Sequence, residues 1–250
     1  MPMTRLLPVL LLLLAVATTA RAAKLEVASP ARQTALIELY TSEGCSSCPP
    51  ADRWLSRFKD DPRLWQQVVP VAFHVDYWNY LGWIDRFSDS SFTQRQYQYR
   101  QYGHVTGVYT PGLLVNGREW RGWVSRRRLP QNGTGDAGIL KVSIDGNQAS
   151  AEYRPGRPLP TPVILNVAVL AFNQSTEVGA GENSGRSLRH DFVVVDFHQY
   201  PQATLKDHYD WSLDGLPSGI PDNASGIALW VSAAGDPTPL QATGGMLHDR

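Results

Sequence analysis

Cys45 and Cys48 are the only cysteines among 250 residues, and they stand where an apolar run breaks into a turn. The segment reads Leu36-Ile37-Glu38-Leu39-Tyr40-Thr41-Ser42-Glu43-Gly44, then Cys45-Ser46-Ser47-Cys48-Pro49-Pro50. A Cys-x-x-Cys spacing brings two thiols within disulfide reach across one turn. A helix starting beside them favours the thiolate, the reactive species. Three chemistries fit the pair: reversible redox exchange, a metal site, or an inert staple. As a staple it closes a very short loop and restrains the unfolded chain weakly. A soft metal such as Cu(I) asks for further Met or His ligands, and beyond residue 22 the single Met is Met246, near the far end. No Gly-x-Ser-x-Gly elbow and no helically spaced His pair points to hydrolysis.

His74 and Asp76 stand two apart on an otherwise apolar strand, so they share a face. They are either a proton-transfer or gating pair near the thiols, or a buried His bonded to a neighbouring acid. The stretch from Tyr77 to Phe87 holds five aromatic residues in eleven, among them Tyr77, Trp78 and Trp83. Loops seldom collect so many rings unless they pack on something. The alternatives are a lid or substrate cleft beside Cys45 and a satellite core between domains. Glu43 reads as a solvated loop residue. The loop from Gly181 to Arg189, with Glu182, Asn183, Arg186 and Arg189, also reads as solvated, although it could reach the thiols.

The elements that must position these residues alternate in the first half. Leu36–Tyr40 reads as a strand, Pro50–Lys59 as a helix, and the Val-rich run Val68–Val75 as a strand covered on both faces. Ser90–Tyr102 reads as a helix stopped by Gly103, and Asn116-Gly117 as a hairpin turn. The expectation is an α/β domain over residues 33–130 carrying the aromatic insert at 77–87. After a linker at 131–137 the pattern changes to short strands between Gly, Pro, Asn and Asp clusters. Val142–Ile144, Ala151–Tyr153, Val163–Leu170, Phe192–Phe197 and Gly226–Val231 imply an all-β antiparallel, sandwich-like domain over 138–250.

Tyr40-Thr41-x-x-Gly44-Cys45-x-x-Cys48 resembles the active-site opening of thioredoxins and glutaredoxins. Tyr102-Gly103-x-x-x-Gly107-Val108-x-Thr110-Pro111 resembles their cis-proline loop. The resemblance implies a thioredoxin-like first domain, with Cys45 as the better exposed attacking thiolate and Cys48 as the resolving thiol. It implies a cis Thr110-Pro111 bond packed against the pair, and by position it suggests Glu38 as a buried proton-transfer acid, one residue out of step. The chain also resembles a family of secreted bacterial proteins catalogued as domain of unknown function 1223. The matching stretches include Thr41 to Asp52, Ala72 to Trp83, Val108 to Pro111 and Gly181 to Arg186. That family carries no established reaction.

Residues 1–22 have a basic start (Arg5), an apolar run from Leu6 to Ala17 and an Ala20-Arg21-Ala22 cleavage pattern, so a cleavable signal peptide is expected. Export to a periplasmic or extracellular, oxidising compartment follows, where disulfides persist. Removing Arg5 and Arg21 leaves 21 basic against 23 acidic residues. Such a balance has no electrostatic footprint for nucleic acid, and no later run is long enough to span a membrane. The expected activity is thiol–disulfide exchange on protein or peptide thiols without a cofactor, with a membrane redox partner as a further candidate. The alternative is a thioredoxin-like binding module for a protein or a soft metal, without turnover.

Overall fold

The computed structural model describes residues 24–247, apart from 126, 131–132, 134, 147, 204–206, 215 and 217–223. The expected signal peptide lies outside the described residues, as does part of the expected linker. After an edge strand, β1 (Lys24–Ala28), come β2 (Ala35–Thr41) and β3 (Val68–His74), buried at every position. They pair in parallel, from Ala35 opposite Val68 to Thr41 opposite His74. Between them α1 (Pro49–Ser56) opens on two prolines, whose missing N–H groups have no helical partner to lose. It tightens into a 3-10 turn at Arg57–Asp60. A second helix, α2 (Ser90–Gln101), is capped by Asp89, whose carboxylate accepts from the Ser91 N–H at 2.7 Å. The hairpin of β4 (Gly112–Val115) and β5 (Arg118–Glu119) turns on Asn116 and Gly117 with φ of 50° and 76°. Both lie in the left-handed region that a two-residue hairpin favours.

The later strands are β6 (Ile139–Asp145), β7 (Gln148–Arg154), β8 (Val163–Ala171), β9 (Gln174–Glu177), β10 (Ser187–His190), β11 (Val193–Gln202), β12 (Tyr209–Ser212), β13 (Ala224–Ala233) and β14 (Pro239–Met246). They do not keep to themselves. One eight-stranded mixed sheet runs β14-β13-β8-β11-β3-β2-β4-β5, joined where β11 meets β3 in parallel at Val193 opposite Ala72. A four-stranded antiparallel sheet, β1-β6-β7-β12, takes one strand from the N-terminal end and three from the second half.

The expected thioredoxin-like α/β domain followed by a separate sandwich is therefore overturned. Among the described residues, strand accounts for 43 % and helix for 14 %. The sheet runs through both halves, and most of its joins are antiparallel. The physical reason lies in the open edge of β3. Phe192, Val193 and Val194 are fully buried, and an apolar strand start gains more by closing that edge than by facing solvent.

Alternation along β8 shows how the sheet separates two cores. Val163, Leu165, Val167 and Val169 face the four-stranded sheet with Leu140, Val142 and Ile144. Ala168 and Leu170 point the other way, into the core of β2, β3, α1 and α2. There Phe197 stacks on Trp230 at 5.7 Å, and Phe73 packs edge-on against Phe197 at 5.6 Å. Rings from both halves thus fill one core.

Candidate functional site

The turn leaving β2 carries the cysteines. Cys45 and Cys48 form a disulfide with Cα atoms 5.5 Å apart. Cys48 is the N-cap of α1, its carbonyl accepting from the Ala51 and Asp52 N–H groups at 2.8 and 3.1 Å. Cys45 lies one turn earlier, off the helix end. The expected difference in exposure is absent: both cysteines are 0 % exposed, while Ser46 and Ser47 between them face solvent. Cys45 Sγ lies 3.4 Å from Ser47 Oγ.

Glu43 is not solvated. It is fully buried, its N–H donates to Asp85 Oδ2 at 2.8 Å, and its Oε2 accepts from Trp83 Nε1 at 2.8 Å. The buried partner of His74 is Asp85 from the aromatic insert, with Nδ1 to Oδ2 at 2.7 Å. Burial works to lower the His74 pKa, but Asp85, aided by Asp52 and Glu43, outweighs it and the net shift is upward. Burial likewise works to raise the Asp85 pKa, and His74 with the Glu43 and Phe87 N–H groups carries it below the ordinary carboxyl value. Asp76 stands apart. It lies beyond the end of β3, where its carboxylate accepts from Thr93 Oγ1 at 2.5 Å, so it is tied to α2 and not paired with His74.

The loop from Gly181 to Arg189 is solvated only in part. Asn183 is fully buried, and its Nδ2 donates to the carbonyls of Glu43 and Cys45 at 2.9 Å each. Arg186 Nη1 donates to Asn183 Oδ1 at 2.7 Å, which fixes the amide's orientation. Glu182 accepts from the Ser46 N–H at 2.9 Å, a bond that lowers its pKa. The loop beginning after β9 therefore clamps the cysteine turn.

The insert braces the same turn. A Cβ added at Gly44 would sit 3.0 Å from Trp78 Cβ, so only glycine lets Trp78 approach so closely. Trp78 Nε1 donates to Thr110 Oγ1 at 2.7 Å, and Tyr77 donates through its hydroxyl to Gln96 Oε1 at 3.2 Å. Tyr80 and Ile84, in contrast, are exposed. Thr110-Pro111 is cis, as expected. Beside it opens a groove of about 440 Å³, lined by Ser47, Pro111, Leu113, Trp120, Trp123 and Val124 among others.

Glu38 belongs to another network. Fully buried on β2, it accepts from Arg95 Nε at 2.8 Å and from the Tyr99 hydroxyl, both on α2. Arg95 in turn lies over the Trp230 ring at 5.0 Å. Its bonds run to α2 and to the Tyr40 hydroxyl on its own strand, which makes Glu38 a fold-holding ion-pair partner. The sequence reading missed Asp52, Asp85 and His190 altogether. His190 had a legible signal: Ser187 to His190 alternates exposed and buried, with Leu188 and His190 inside.

The chain belongs to the family described as protein of unknown function (DUF1223), whose model matches residues 36–232. Its structure is similar to that of protein AGR_C_4864 from Agrobacterium tumefaciens, at 24 % identity and a TM-score of 0.63, covering 86 % of this chain and 95 % of that one. It is also similar to HBP35 of Porphyromonas gingivalis, at 16 % identity and a TM-score of 0.55, covering 88 % and 76 %. At these identities the likeness concerns the fold alone. No curated protein matches the sequence.

Proposed function

We propose that this protein is an exported thiol–disulfide oxidoreductase that uses the Cys45–Cys48 couple on protein or peptide thiols. The observation that carries the proposal is the position of its one cysteine pair. The disulfide closes onto the N-cap of α1, and the apolar groove runs from Ser47 of that same turn past Pro111 to Trp120 and Trp123. A peptide whose thiol meets Cys45 would rest its apolar flank there. Export is supported by the residue pattern of 1–22 and by the stability of disulfides outside the cytosol.

Burial of both sulfurs favours a second reading, a protein-binding module in which the disulfide only pins the turn. Titration of the couple against glutathione, with transfer to a dithiol peptide, separates the two. A potential near about −270 mV marks a reductant and one near about −120 mV an oxidant. Cys45→Ser should abolish exchange, and Cys48→Ser should accumulate mixed disulfides. Wild-type protein that exchanges no faster than Cys45→Ser would leave the binding module. Amino-terminal sequencing of the protein recovered outside the cytosol, expected to start at Ala23, tests export.

A further inference from the structure

Arg95, Gln98 and Tyr102 recur at i, i+3 and i+7 along α2 and its C-cap, so they share one stripe of the helix. Arg95 is only 3 % exposed. Its Nε donates to Glu38 Oε1 at 2.8 Å and its Nη2 to the Tyr99 hydroxyl at 3.2 Å. Nη1 has no hydrogen-bond partner among the described residues. A guanidinium does not lose its proton in a protein, and a buried charged donor left unmade is costly. What lies in front of Nη1 therefore matters.

Arg95 lines a cavity of about 170 Å³ between α2 and the end of β13. Gln98, Gln101 and Tyr102 line it from the helix, and Ser232, Gly235 and Asp236 from β13 and the turn after it. Gly235 has a φ of 88°, and a Cβ added there would lie 3.3 Å from the Tyr102 hydroxyl. Glycine thus lets that hydroxyl rest against the turn, where it bonds no other described residue. Ser232 Oγ accepts from Asn166 Nδ2 at 3.1 Å, which leaves its own proton to give. The two glutamines add carboxamide N–H groups. One buried cation is ringed by donors.

The charges nearby select the ligand. Glu38 already offsets Arg95, and Asp236 in the cavity wall is held by His104 Nε2 at 3.0 Å and by the Thr238 N–H at 2.9 Å. An oxyanion with two charges, such as sulfate, would meet both carboxylates where excess charge is poorly solvated. A single carboxylate adds one charge, and its two oxygens can accept from several donors at once. Bonds of that charge-assisted kind are the strong ones. We propose that this cavity binds a small monocarboxylate, a free organic acid or the carboxylate end of a peptide, on Arg95 Nη1, the Tyr102 hydroxyl and the Ser232 hydroxyl. The bound carboxylate completes the bonding of Arg95 and ties α2 to the end of β13. This site does not depend on the Cys45–Cys48 chemistry, and neither reading falls with the other.

The test titrates the full chain, isotopically labelled at its arginine nitrogens, with sodium acetate. Acetate should shift the Arg95 guanidinium resonances saturably and raise the melting temperature as a ligand of the folded state does. Sodium chloride and sodium sulfate at equal ionic strength should do neither. N-acetylglycylglycine binding more tightly than acetate identifies a chain end as the source, and weaker binding a free acid; the carboxamide of the same peptide should not bind. Gln98→Glu places a like charge in the cavity and should weaken acetate about tenfold. Tyr102→Phe removes one donor and should weaken it about fivefold. Neither side chain bonds another described residue, so both variants should melt near wild type without acetate. Should Gln98→Glu fail to fold, Tyr102→Phe decides alone. The site is overturned by an acetate response that does not saturate, by sulfate or the carboxamide binding as tightly as acetate, or by folded variants that bind acetate like wild type.

Discussion

The side-chain amide of Asn183 donates to the carbonyl of Cys45 at 2.9 Å across 138 positions of the chain. The same nitrogen serves Glu43, so one buried amide ties both ends of the segment that delivers the disulfide. Asn183→Ala leaves two buried carbonyls without a donor, and an unmade buried bond costs about 1–3 kcal/mol each. The expected loss is about 2–4 kcal/mol by urea unfolding, together with faster reduction of the disulfide by dithiothreitol. An unchanged reduction rate in a destabilised variant would mean that the loop does not control access.

The disulfide itself should matter little to stability. A closed loop of so few residues contributes about 2 kcal/mol on the chain-entropy account. The Cys45→Ala/Cys48→Ala double variant should therefore remain folded while losing all dithiol exchange. Unfolding of that variant at room temperature would favour the module in which the disulfide serves only as a pin.

Glu38 carries the opposite expectation. Replacing it with Gln leaves the buried Arg95 guanidinium short of its counter-charge, and breaking a buried pair from one side costs about 3–5 kcal/mol. The glutathione titration of the couple should stay where it is, because the Glu38 bonds run to α2 and to Tyr40 on β2. A shifted potential in Glu38→Gln would restore that acid to the site.

The pair of His74 and Asp85 sets a pH window. His74 is raised above its ordinary 6.5, so its contribution is complete below that value and is lost as pH rises through the folded pKa. Asp85 is lowered below its ordinary 3.8, so its contribution is complete above that value and is lost as pH falls through the folded pKa. Stability measured by urea unfolding should peak in the mildly acidic range and decline toward alkaline pH, and Asp85→Asn should flatten the alkaline decline. A wild type that grows steadily more stable between neutral and alkaline pH would contradict this assignment.

Local patterns located β2, β3, α2 and the Asn116-Gly117 turn within a residue or two, because burial period and turn chemistry are written locally. Which strand lies beside which is not. The apolar run at Val193 states that β11 is buried, yet nothing within it specifies β3 as the neighbour. Glu43 illustrates the same limit at the site. Beside a glycine turn an acid looks solvated, and only Trp83 and Asp85, about 40 positions away, make its burial tolerable. His190 differs, since its in-facing position follows from the alternation around Leu188.

The join between β3 and β11 sets a schedule for synthesis. Val193 leaves the ribosome about 120 residues after Ala72. At roughly 5–20 residues per second, the inner edge of β3 waits about 6 to 24 seconds for its neighbour. An open apolar strand edge is a template for pairing with other chains. A nascent chain stalled before β11 should consequently aggregate, or be held by a chaperone, even with Cys45 and Cys48 already in place.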